Sequence, residues 1–320
     1  MKVLKVKCFT VRLFLILFSV SVVNSNAQTV AIGKRIPTKS ESIDSKQLIR
    51  DIKFLSSDAL SGREAGSEAG EVARNYVIGR FKKSGLTPFG ADYTQTFSFK
   101  TRNDQTINGV NVIGHIKGES LPDKYVVVTA HYDHVGVAEG KVYNGADDNA
   151  SGTAALFALA KYFKEKKPKH SLIFVAFDAE EKGLQGARHF VKNLPVPKES
   201  ILLNINMDMV SHNDKNELYV AGAFHYPFIK KYVEAVKDAA PVKLLFGHDD
   251  PKLGREDWTS QSDHGAFHHE KIPFIYFGVE DHKDYHKPTD TFENINQKFY
   301  VDAVESILMV VKSVDRDYRD

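Results

Sequence analysis

The sequence predicts one α/β domain, a mixed but mainly parallel β-sheet sandwiched between helices. Three observations carry that expectation. Several apolar runs are continuous rather than alternating, as strands buried on both faces must be. Helical patterns separate these runs, which is the order that builds parallel sheets. After residue 40 there is no internal repeat, no Pro/Gly/Ser linker and no low-complexity tract, so no domain boundary is placed there.

The first element is "VARNYVIGRFKKSGL" (72–86), read as an amphipathic helix with Val72, Tyr76, Val77 and Phe81 on one face and Gly85 as its terminator. "YVVVTA" (125–130) reads as a buried strand, and an Ala-rich helix follows over about 151–164. The basic run "KYFKEKKPK" (161–169) closes that helix: cations suit a helix C-terminus, and Pro168 stops it. "SLIFVAF" (171–177) is the next strand, then come a short helix after Gly186, the strand "ILLNINMDMV" (201–210) and the strand "IPFIYFG" (272–278). A closing helix spans roughly 299–314, with Val304, Leu308 and Val311 facing inward.

Residues 1–27 have a different texture. Lys2, Lys5, Lys7 and Arg12 precede an apolar run from Leu13 to Val23, and Ser25-Asn26-Ala27 offers a small-residue cleavage site. This reads as a secretory signal, giving an exported protein, periplasmic or secreted, with no stable membrane anchor after cleavage. Cys8 is the only cysteine and lies inside that segment, so no disulfide is expected in the mature chain, 28–320. The formal charge is +2, and losing the four leader cations makes it about −2. No basic footprint for nucleic acid remains.

Polar residues gather where the predicted strands end. His131 and Asp133 follow 125–130, Glu180 and Glu181 follow 171–177, and Asp208 closes 201–208. The loop "NGADDNASG" (144–152) adds Asp147 and Asp148, and "DYHKPTDT" (284–291) adds His286. Open parallel sheets bind ligands beyond the carboxyl ends of their strands, so one crevice would collect these groups. Carboxylates and imidazoles packed together cannot stay charged and unpaired, and a divalent cation resolves the conflict. Nitrogen and oxygen donors without thiolate suit zinc first, and the carboxylates suffice for two ions sharing one.

Six motifs in register, "AHYDHVG", "NGADDNASG", "DAEEKGLQGA", "NMDMV", "SDHGAF" and "YHKPTDT", resemble those of the co-catalytic di-zinc aminopeptidases of secreted bacterial origin, relatives of glutamate carboxypeptidase and the transferrin receptor. The stretch "LSSDALSGREAGSEAGEVARNYVIGRFKKSGLTP" resembles that family's lead-in, so the likeness covers about residues 50–295. The resemblance implies the zinc-exopeptidase fold and a peptidase catalytic domain over 28–320. It implies that His131 and Asp208 hold one metal, Glu181 and His286 the other, and that Asp148 bridges two zinc ions. It further implies that Asp133 accepts the other N–H of the His131 imidazole, that Glu180 is the general base, and that Tyr285 reaches a developing oxyanion. Asp263 and His264 would shape the pocket, and the Asp148–Asn149 peptide would be cis.

The implied reaction is hydrolysis of the N-terminal peptide bond of a peptide by activated water, with no covalent intermediate. Three alternatives share the fold. A glutaminyl cyclase would use one zinc, a carboxypeptidase would use a cation such as Arg255 to capture a carboxylate, and a noncatalytic binding protein would have lost metal ligands.

Overall fold

The computed structural model describes residues 42–318. The predicted secretory segment, 1–27, lies outside the described residues. In chain order the elements are α1 (Ser45–Leu55), α2 (Glu68–Lys83), β1 (Thr94–Lys100), β2 (Thr106–Ile116), β3 (Leu121–His131), β4 (Gly136–Ala138), β5 (Lys141–Tyr143), α3 (Gly152–Glu165), β6 (His170–Phe177), α4 (Gln185–Lys192), β7 (Ile201–Met207), β8 (Glu217–Ala221), α5 (Lys230–Lys237), β9 (Lys243–Phe246), α6 (His264–His269), β10 (Phe274–Gly278) and α7 (Gln297–Asp317).

Eight strands form one sheet in the order β1-β2-β6-β3-β7-β10-β8-β9, and β4 pairs with β5 as a separate ribbon. The four central strands, β6, β3, β7 and β10, run parallel to one another. β2 joins β6 antiparallel, β1 joins β2 antiparallel, and β8 joins β10 antiparallel before β9 returns parallel to β8. Connections through helices explain the parallel centre, because parallel neighbours need a crossover.

Continuous apolar strands bury both faces here. Val126 and Val128 of β3 pack with α3 and α7 on one side, while Val127 packs with α4 and α6 on the other. β6 repeats the alternation: Leu172 and Phe174 join the larger core, Ile173 and Val175 the smaller. α7 runs to Asp317, and Val304, Leu308 and Val311 are buried in the larger core as their spacing requires. Asn296 caps it, accepting from Phe299 N at 3.1 Å.

α2 departs from its predicted face. Val72 is 50% exposed, and the inward row is Ala73, Val77 and Phe81. Those three are four residues apart, whereas Val72 sits about 100° round the helix from Ala73. Gly85 adopts φ +72° beyond the last turn, and the Gly85 and Leu86 amides donate to Lys82 O and Phe81 O. The antiparallel edge β1–β2 was not predicted. β1 is largely exposed with only Phe97 buried, and β2 carries Gly109 against the Phe97 ring, so neither shows a continuous apolar run.

Among the described residues no helix is long and apolar enough to cross a membrane.

Candidate metal centre and active site

Parallel β6, β3, β7 and β10 present their carboxyl ends along one edge, and the predicted site residues hang from that edge. His131 ends β3, with Asp133 two residues on. Glu180 and Glu181 occupy the turn after β6, Asp208 directly follows β7, and Tyr285 and His286 lie in the loop after β10. Asp148 sits in an irregular turn before α3. Its neighbour Asn149 accepts at Oδ1 from the amide of Gly152, the first residue of that helix, at 2.9 Å. The Asp148–Asn149 peptide is cis.

Asp148 stands at the centre. Its Oδ1 is 3.4 Å from His131 Nε2, and its Oδ2 is 3.0 Å from His286 Nε2. His131 Nε2 is 3.3 Å from Asp208 Oδ1, and His286 Nε2 is 3.3 Å from Glu181 Oε2. The donor atoms of His131, Asp148 and Asp208 form one group within 4.8 Å of each other. Those of His134, Asp148 and Glu181 form a second, sharing Asp148.

These donor sets fit divalent cations. His131 Nδ1 lies 3.2 Å from the Asp133 carbonyl, which can only accept, so Nδ1 carries the proton. Nε2 then turns a lone pair toward two carboxylates, and a cation between them reconciles all three. Without one, burial would keep the His131 imidazole neutral, yet Asp208, Glu180 and Asp148 raise its pKa well above the usual range.

The Asp133 carboxylate is placed differently from its expected role. It is 3.7 Å from His131 Nδ1, farther than its own carbonyl. Its oxygens accept instead from the Glu180 and Glu181 amides, at 3.0 and 3.3 Å, and so hold the glutamate turn against the end of β3.

The two adjacent glutamates meet opposite environments. Burial pushes the Glu180 carboxyl well above the usual carboxylate range, with Asp263, Asp208 and Glu181 adding to the push against His131. Burial also raises Glu181, but hydrogen bonds and charge from His134 and His286 outweigh it and hold that carboxyl well below the range. Of the pair, Glu181 reaches His134 and His286, while Glu180 lines the cleft beside them.

Three residues of the site were not named from sequence. His134 Nδ1 is 2.7 Å from Glu181 Oε1, and the ring packs on Gly145, where φ is +53° and any side chain would collide with it. Asp290 accepts from the Asp147 and Asp148 amides at 2.9 and 3.1 Å. Arg63 is 1% exposed, and its guanidinium donates to the carbonyls of Leu55, Tyr132, Asn144 and Gly145. All three lie in stretches quoted above, "AHYDHVG", "YHKPTDT" and "LSGREAG", but their partners are distant in sequence.

The remaining histidines near His286 in sequence stand outside the cluster. His282 has both ring nitrogens engaged, Nε2 with Asp147 Oδ2 at 3.1 Å and Nδ1 accepting from the Asp284 amide. His268 Nδ1 meets the Tyr226 hydroxyl at 2.9 Å, and the His269 side chain is 87% exposed. Tyr285 stacks on His286 with ring centroids 4.1 Å apart, beside the cleft. Asp263 is fully buried with neither carboxylate oxygen hydrogen-bonded, and burial pushes its pKa to about 7.

His264 gives a pH prediction. Burial pushes its imidazole down to about 4, against the opposing effect of the Trp258 carbonyl 2.9 Å from Nε2. The unfolded chain protonates this histidine near its ordinary 6.5 while the folded chain does not. Its contribution is therefore intact above pH 6.5 and is lost as pH falls from 6.5 toward about 4, by at most about 3 kcal/mol. Urea unfolding near pH 7 and near pH 5 measures it, and His264→Gln should flatten the slope; equal slopes in both proteins would remove His264 as the cause.

The fold is shared with zinc aminopeptidases and glutaminyl cyclases of known structure. BSAP, a zinc aminopeptidase from Bacillus subtilis, superposes with a TM-score of 0.68 at 18% identity, covering 88% of this chain and 98% of that one. Porphyromonas gingivalis glutaminyl cyclase superposes at 0.71 with 16% identity, covering 85% and 99%. In sequence, Aminopeptidase YwaD of Bacillus subtilis (strain 168) is 33% identical over 236 residues, 69% of this chain and 48% of that protein. The chain belongs to peptidase family M28, whose sequence pattern matches residues 111–311. It spans about half or less of the length of the curated relatives it matches first.

Proposed function

We propose that this chain is an exported metallo-aminopeptidase that hydrolyses the N-terminal peptide bond of peptides. The observation that carries the reading is the pair of donor groups that share Asp148, one with His131 and Asp208 and the other with Glu181, with Glu180 lining the cleft beside them. Family membership and the YwaD match support peptide chemistry.

His131 and Asp208 would hold one divalent ion, His286 and Glu181 the other, with Asp148 between them; the oxygen and nitrogen donors suit zinc. Such ions supply Lewis acidity, which activates water near neutral pH and polarises the scissile carbonyl. Glu180, not itself tied to a histidine, takes the proton from the attacking water and returns it to the leaving amine. Asp133 fixes the turn that aims Glu180, and His134 steadies the second oxygen of Glu181. The Tyr285 hydroxyl is the group assigned to the developing oxyanion. A carboxylate-lined crevice favours the ammonium of a peptide N-terminus.

The test is hydrolysis of aminoacyl and dipeptidyl fluorogenic substrates before and after chelation, with metal analysis in parallel. We expect close to two equivalents of divalent ion per chain. Chelation should abolish activity and lower the melting temperature together, since ions that bind only the folded chain stabilise it. Activity surviving complete metal removal would rule the mechanism out. A ceiling of one equivalent, with turnover of peptides bearing N-terminal Gln, would instead assign the glutaminyl cyclase reaction.

A further inference from the structure

The cleft before the cluster has a volume of about 380 Å³, near the lower end of small-ligand sites. Five carboxylates line it: Asp148, Glu180, Glu181, Asp208 and Asp281. Only one lysine or arginine does so, Arg188. Arg255, the arginine singled out from sequence, lies in the exposed segment Pro251–Glu256 and does not line the cleft.

Arg188 is exposed on α4, and among the described residues its guanidinium makes no ion pair or side-chain hydrogen bond. Its backbone is fixed nonetheless. The Gly183 and Leu184 amides donate to Glu180 O, the Gln185 amide to Ala179 O, and the Arg188 amide to Leu184 O. Ala187, Phe190 and Val191 anchor the helix in the smaller core. Arg188 therefore sits one helical turn beyond Leu184, whose own amide is held by the carbonyl of the residue assigned as base, and both residues line the cleft. A planar, permanently charged fork held open toward a cleft is suited to a carboxylate.

The sheet fixes which side of the cleft this is. Arg188 belongs to the wall built after β6, while Asp281, Tyr285 and His286 belong to the wall built after β10. β3 and β7 lie between, so the two walls stand three strand spacings apart, roughly 14 Å backbone to backbone. Side chains occupy part of that width. The cluster reaches across both walls, with Glu181 Oε2 3.3 Å from His286 Nε2, and Arg188 lines the same cleft, whose size suits a dipeptide of at most about 7 Å or a tripeptide of about 11 Å.

We infer that Arg188 binds the terminal carboxylate on the leaving side of the scissile bond, making short peptides, dipeptides first, the preferred substrates. This rests on the aminopeptidase reading, which puts the amine at the carboxylate-rich cluster and the leaving residue away from it. An acidic side chain at the second residue offers the same chemistry, so the test separates the two sources.

The experiment compares kcat/KM for Ala-Gly, Ala-Gly amide and Ala-Asp amide, using metal-loaded wild type, Arg188→Gln and Arg188→Lys. A charge-assisted hydrogen bond of ordinary strength predicts a preference for Ala-Gly over its amide of roughly 10- to 100-fold in wild type. That preference should collapse toward one in Arg188→Gln and recover in part in Arg188→Lys. Equal rates on acid and amide in wild type, or a preference that survives Arg188→Gln, would overturn the assignment and leave the peptidase reading standing. Ala-Asp amide outrunning Ala-Gly would overturn the dipeptide assignment in favour of an acidic second residue. Failure to hydrolyse any of the three would overturn both readings.

Discussion

Glu180→Gln is expected to retain both metal ions, fold stability and substrate affinity while kcat falls by roughly 10² to 10⁴, the range of a lost general base. Added metal should not restore it. The neighbouring change, Glu181→Gln, should fail by another route: the carboxyl held anionic between His134 and His286 loses its charge, one ion binds more weakly, and excess metal recovers part of the activity. The difference follows from geometry. Successive side chains leave a turn in different directions, so one reaches the histidines while the other stays free of them. Metal content and single-turnover rates for the two variants decide the matter. If Glu180→Gln lost an ion and Glu181→Gln kept both, the roles would be exchanged; two fully active variants would remove the pair from the chemistry.

Arg63→Met should destabilise the protein by roughly 3–5 kcal/mol, as removing the charged donor of several buried hydrogen bonds does. Burial lowers the Arg63 pKa to about 10, and the charges of Asp148, Asp290, Asp133 and Glu181 oppose that fall, so the guanidinium remains charged at neutral pH. Methionine keeps much of the apolar bulk but leaves the carbonyls of Leu55, Tyr132 and Asn144 without that donor and Gly145 O with the Ala150 amide alone, each loss an appreciable cost. Arg63→Lys should rescue little, since a single ammonium cannot span carbonyls from three segments. Denaturant midpoints of the metal-loaded proteins measure the loss. A change within about 0.5 kcal/mol, the ordinary range of surface substitutions, would show that the clamp is dispensable.

The central fold and the cluster were legible for one reason. A strand buried on both faces must be apolar throughout, as Val126, Val127 and Val128 are, and parallel strands separated by helices bring their ends to one edge. Knowing that edge, His131, Glu180, Glu181 and Asp208 could be gathered from strand ends, while His286, in the loop after β10, was singled out by the family-like motif that carries it. What stayed hidden depended on pairing at a distance. β1 and β9 exist because a neighbour offers hydrogen bonds, and their own residues are too polar or too few to announce it. His134, Asp290 and Arg63 were visible as letters, but nothing local says that an imidazole will meet Glu181 or that a guanidinium will join residues 55, 132, 144 and 145. The Val72 error has the same character: a helix face is chosen by what packs on it, and a valine one step off the row Ala73–Val77–Phe81 is left outside.

The position of Arg63 bears on where this enzyme-like unit can be cut. The match to the family pattern begins at residue 111, inside β2, and Arg63 lies 48 residues before it. The loops carrying His131 and Asp148 are thus braced by a side chain outside the part of the chain that carries their motifs, and α1 and α2 fill the larger core from the same outlying stretch. A fragment trimmed to the motif-bearing segment would keep all five proposed ligands and lose the cross-brace that sets the spacing between two of them. The boundary of the family pattern's match and the boundary of mechanical support do not coincide in this chain, and truncations or grafts have to respect the second.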